Sequence, residues 1–183
     1  MTAFDRLLTL AHPPANPVNA GSREEFAYFE IRLGTKLPDD FKSIINSFGS
    51  GEWLEFYWIL NPFEPHFERL WDEDESDMLR SIRESHRDWP QFEPYTAWPE
   101  PRGLLPWGGN SNGGFLCWIV EGEPATWKTV YRPDRTPEFE EYDESVSELL
   151  VQAITGMNDS LSCVPYSRSE EPVLFCSDHK KSD

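Results

Sequence analysis

The residues with chemistry to offer are few. Gly109-Asn110-Ser111-Asn112-Gly113 spells G-x-S-x-G, the spacing that presents a serine nucleophile on a sharp turn between a strand and a helix. Here the strand-like run 115–120 follows instead of a helix, and the only downstream histidine is His179, so a hairpin turn is the favoured reading. Cys163, Cys176 and His179 are three soft ligands, but their spacing matches no familiar zinc pair and a fourth is missing, which favours structural or free thiols. The other histidines, His12, His66 and His86, are scattered and form no H-E-x-x-H. Adjacent carboxylates such as Glu140 and Glu141 could serve a glycosidase, yet in a chain with 33 acids such pairs arise by chance. No glycine-rich phosphate loop or dinucleotide fingerprint occurs. The sequence therefore predicts no catalytic residues, no metal and no organic cofactor.

Charge is more informative. The 183 residues carry 33 acids and 16 bases, a formal charge of −17. Nucleic acid is bound by lysines and arginines that displace counterions, and anionic membranes attract the same residues, so neither is an expected partner. The acids are clustered: residues 64–77 hold seven against one arginine, and residues 134–148 repeat that ratio. Such runs either form a solvated face or steer a basic protein. On the second reading the candidate contact residues are Trp71, Asp72, Glu73, Asp74, Glu75 and Asp77 in the first cluster. The second contributes Glu138, Glu140, Glu141, Tyr142, Asp143 and Glu144, with Trp71, Phe139 and Tyr142 as aromatic anchors beside the carboxylates. Three widely spaced cysteines, no secretory leader pattern at the N-terminus and no long apolar run fit a cytoplasmic protein.

These residues need a scaffold, and its elements are legible. Aromatic residues at 14% supply burial. Phe4 to Ala11 is an amphipathic start that ends at Pro13-Pro14. Ser22 with Glu25 forms a capping box before Phe26, Phe29 and Leu33, and Gly34 stops that helix. Pro38 suits a first helical position, and Phe41, Ile44, Ile45 and Phe48 follow at helical spacing up to Gly49. Trp53 to Leu60 alternates with period two, placing Leu54, Phe56, Trp58 and Leu60 on the buried side. Residues 64–88 predict one broken helix or two. A proline-rich loop over 89–103 is expected to fold back through Trp89, Phe92, Tyr95 and Trp98. Strands are predicted at Leu104–Trp107, Gly114–Val120, Thr126–Tyr131 and Glu138–Tyr142. A last helix starts at the Ser145/Glu148 capping box and ends at Gly156. Helices, then strands, then a helix make an α+β fold.

The ordered set of these features resembles the SUKH superfamily, named after a yeast cell-wall assembly regulator and abundant in bacterial toxin-immunity loci. It comprises Glu30 with Leu33-Gly34, Leu37-Pro38-Asp39-Asp40-Phe41, Phe48-Gly49-Ser50-Gly51, Leu105-Pro106-Trp107-Gly108, Gly113-Gly114-Phe115 and Ser145-Val146-Ser147-Glu148-Leu149-Leu150. The resemblance implies a mostly antiparallel sheet of about five to six strands with helices packed on one side, and no catalytic residues. In many bacterial members it implies direct neutralisation of a toxin, often a basic nuclease or deaminase. It divides the chain into an N-terminal segment and loop (1–21), a SUKH-like domain (22–156) with an acidic, proline-rich insertion (62–103), and a partly ordered tail (157–183). Two other classes stay open: a regulatory scaffold for an endogenous protein, and an enzyme.

Overall fold

A computed structural model describes residues 1–65, 71, 76–133, 138–158, 160–161 and 173–177. Helix α1 (Ala3–Leu10) begins at a Thr2/Asp5 capping box, and α2 (Arg23–Leu33) at the Ser22/Glu25 box, ending on Gly34 at φ 80°. Helix α3 (Asp39–Phe48) buries Phe41, Ile44, Ile45 and Phe48, the four residues its spacing selected. Pro38 is its N-cap rather than its first residue, and its extended ψ of 137° turns the chain into the helix.

The predicted single strand Trp53–Leu60 is instead a hairpin of β1 (Gly51–Trp53) and β2 (Tyr57–Ile59). Leu54 and Glu55 both take positive φ, 55° and 54°, as the central residues of a turn closed by the Phe56 amide donating to the Trp53 carbonyl, and Phe56 completes a three-residue loop. The turn resets the pleat, so Tyr57 and Ile59 enter the core and Trp58 is only half-buried, the reverse of the expected alternation within β2, while Leu54 and Leu60 are buried as expected. Within the predicted helical region 64–88, α4 (Asp77–Asp88) is a single helix capped by Ser76. The segments 66–70 and 72–75 lie outside the described residues.

Strand β3 (Leu104–Asn110) runs three residues further than expected, because Gly108 and Gly109 belong to the strand and not to the turn. A Cβ on Gly109 would come within 2.7 Å of the Trp58 ring, so glycine permits the close pairing with β2. Then follow β4 (Phe115–Ile119), a short 3-10 turn at Pro124–Thr126 that takes the first residue of the strand expected from Thr126, β5 (Thr129–Arg132), β6 (Glu140–Tyr142) and α5 (Val146–Thr155). The tail adds β7 (Phe175–Ser177), which pairs with β1. Among the described residues the result is a seven-stranded antiparallel sheet in the order β6-β5-β4-β3-β2-β1-β7, more strands than the five to six expected, and the fold is α+β as predicted.

Side chains alternate across a strand, and that alternation splits the interior in two. Leu105, Trp107, Leu116, Trp118 and Tyr131 face the larger core, against α1, α2, α3 and α5. Its centre is aromatic: Trp118 lies 5.0 Å from Phe41 and 5.8 Å from Trp127, centroid to centroid. Leu104, Cys117, Ile119 and Val130 face the opposite way, where Ile82 of α4 and Tyr95 cover them. Four helices thus occupy one side as expected, while the insertion supplies the cover for the other. Trp98 ties that cover down, since its indole nitrogen donates to the Leu33 carbonyl at 3.3 Å and its own carbonyl accepts from Arg83 at 2.9 Å.

Candidate partner-binding surface

Among the described residues, strand β6 ends the sheet. Its register against β5 pairs Thr129 with Tyr142, Val130 with Glu141 and Tyr131 with Glu140. Five carboxylates, Glu138, Glu140, Glu141, Asp143 and Glu144, lie along this short edge. Lys128 answers two of them, at 2.9 Å from Asp143 and 3.7 Å from Glu141. The hydrogen bond to Asp143 raises the Lys128 pKa. These side chains are 44% to 83% exposed, so each pair contributes little and leaves the rim strongly anionic.

Three further contacts shape the rim. The Tyr95 hydroxyl donates to Glu141 and the Tyr142 hydroxyl to Glu140. Desolvation, then the neighbouring carboxylate, pushes each phenol up to about 12. Glu144 accepts from Gln152 at 3.0 Å. On the face that carries Glu141, Phe139 packs on Tyr95 at 5.4 Å, and the Arg132 guanidinium, ion-paired with Glu93, lies 5.9 Å from the Phe139 ring centre. The 89–95 loop is therefore fastened beside the edge strand. At its outer end, Trp89 and Phe92 are 60% and 54% exposed instead of folding back. They sit next to Glu93 in a single backbone turn, closed by the Phe92 and Glu93 amides donating to the Trp89 carbonyl.

The other candidates fall elsewhere. Trp71 is not a surface anchor: it is 4% exposed and packs edge-on against Phe29 at 5.6 Å. An indole placed among Phe29, Phe41 and Trp118 gains more from that core than from water, whatever acids flank it in sequence. Asp72, Glu73, Asp74 and Glu75 lie outside the described residues. Asp77 occupies the first turn of α4 and pairs with Arg80 of its own helix. Trp89 and Phe92 were missed as exposed aromatics because proline spacing says that a loop folds, not which rings it buries.

Ser111 lies in the β3–β4 turn, between two strands, and its hydroxyl donates to the Phe56 carbonyl at 3.3 Å. Buried Asn110 organises the turn by accepting from the Asn112 and Gly114 amides at 3.1 and 3.0 Å. Among the described residues no group of three His, Cys, Asp or Glu side chains could hold a metal ion. Cys163 and His179 lie outside those residues. A surface groove of about 490 Å³ beside α2 includes Glu25, but the Ser22 amide and hydroxyl hold that carboxyl below its ordinary value, the direction opposite to a general acid.

The residues that carried the family resemblance have structural work. The Glu30 carboxylate accepts from the Leu37 amide at 2.9 Å and from Lys42 at 3.0 Å, which locks the α2–α3 turn. Gly49, at φ 70°, packs where a Cβ would meet the Val18 carbonyl at 2.1 Å. A family model for the SUKH_6 group, described as SMI1-KNR4 cell-wall, matches residues 23–150. The chain belongs to the SUKH family. No curated protein and no solved structure matches it significantly. The SUKH match includes β6 and the insertion, whereas α1 and β7 lie beyond it. Among the described residues no helix of this SUKH protein is long and apolar enough to cross a membrane.

Proposed function

We propose that this SUKH protein is a non-enzymatic binding module that neutralises a cognate basic toxin, of nuclease or deaminase type, in the cytoplasm. The observation that carries the reading is the β6 rim: two carboxylates on the end strand of the sheet and three in the residues flanking it, with one lysine between two of them. A toxin that acts on nucleic acid is basic because its substrate is anionic, and an acidic rim competes for that same basic surface. Family membership supports a protein-interaction role. The exposed rings of Trp89 and Phe92 beside the rim add the apolar contact area that charge alone lacks.

The test is co-expression with the product of the gene immediately upstream, scored for rescue of growth. Rescue that is lost when Glu138, Glu140, Glu141 and Glu144 are all changed to Gln supports the reading. A partner that instead proves to be an endogenous, non-toxic protein would move the module to the regulatory scaffolds.

A further inference from the structure

We infer that the open edge of β6 accepts a basic, extended segment of the partner as an eighth strand, so that main-chain hydrogen bonds and the acidic rim act together. This inference rests on the acidic-surface reading above and specifies how that surface is used. The Ile119 amide donates to the Lys128 carbonyl, and Cys117 pairs with Val130 in the same register. Residues 128, 130 and 132 of the β5 region therefore direct their N–H and C=O groups toward β4. Thr129 and Tyr131, in alternation, point toward β6, where they face Tyr142 and Glu140. That leaves Glu141 pointing the other way, together with the flanking Phe139 and Asp143. Among the described residues no strand lies on that side.

An open row of donors and acceptors invites a further strand, and proteins usually blunt it with charge. Here the charge has one sign, which selects the occupant. A second copy of this chain would set glutamates opposite glutamates, and like charges directly across a strand pair repel. A strand bearing alternate lysines or arginines would pair its backbone with Glu141 and its cations with the exposed Glu138, Glu141 and Asp143. Lys128, 2.9 Å from Asp143 and 3.7 Å from Glu141, shows that a cation already fits there.

The probe is a blocked octapeptide of alternating Lys and Thr, added to the full chain at low salt, with hydrogen exchange followed by NMR. A control peptide has the same sequence with every backbone nitrogen methylated, which blocks both edges of the strand. The expected result is slowed exchange at the Glu141 and Asp143 amides with the first peptide, and at least tenfold weaker binding of the methylated one. Glu141→Pro removes the outward N–H and no ladder bond, so it melts at the temperature of Glu141→Ala, which likewise lacks the Tyr95 contact, yet binds the first peptide at least tenfold more weakly than that variant. If Glu141→Pro does not fold, the methylated peptide still decides. Equal binding of both peptides with no protection at those amides overturns strand addition. If that binding still falls in the Glu-to-Gln rim variant, the acidic-surface reading survives; if it does not, both readings fail.

Discussion

The Asp40 carboxylate at the start of α3 accepts a 3.0 Å hydrogen bond from the Ser147 amide, 107 residues away in the first turn of α5. One acid thereby serves two helix N-termini, its own by proximity and the other by direct contact, where both dipoles favour negative charge. Lys42 is not drawn into this contact, since it holds Glu30 and Asp39 at 3.0 and 2.9 Å. The pairing fixes how α5 docks on α3 and so positions the segment that leads in from β6.

Asp40→Ala should therefore cost more than an ordinary surface change, about 1–2 kcal/mol, because it orphans an amide at a partly buried helix start. Urea unfolding measures it. A loss below about 0.5 kcal/mol would mean that the cap is replaced by water and that α5 docks without it.

Phe41 is fully buried against Trp118 and Trp71. Truncation to Ala should cost about 3–5 kcal/mol, the range for deleting a core ring. Trp89→Ala and Phe92→Ala, by contrast, should stay within about 0.5 kcal/mol of the parent while speeding dissociation of a bound partner.

Burial pushes the Cys117 thiol from 9.0 up to about 12. The unfolded chain then releases this proton first, so the contribution is complete below about pH 9 and is lost as pH rises toward 12. Tyr95 and Tyr142, shifted in the same direction, add to the loss above pH 10. Unfolding free energy should fall steadily across that window, and Cys117→Ala should remove the part that starts before the tyrosines titrate. A profile unchanged by that substitution would place the thiol in contact with water.

Changing Glu138, Glu140, Glu141 and Glu144 to Gln should slow association with a basic partner and flatten its salt dependence, with little effect on stability. Stopped-flow rates at several salt concentrations test this. Unchanged rates and slope would make the rim a solubility coat.

Local chemistry was readable in the chain itself. The capping boxes at Ser22 and Ser145, the helical spacing of Phe41 to Phe48 and the glycine stops at Gly34 and Gly156 act over three to eight residues, so the sequence already determines those helices. The α+β class follows from their order. What needed the tertiary structure is non-local. Hydrophobicity marks Trp71 and Trp89 alike, yet one ring has a core to enter and the other has only solvent. Periodicity could not see that a turn at Leu54 and Glu55 inverts the face of Tyr57, because both residues take a backbone conformation their types disfavour. Nor could it seat β7 beside β1 or leave β6 at the edge, since strand order depends on pairings across the whole chain, and it is that order which turns a run of acids into an open, charged rim.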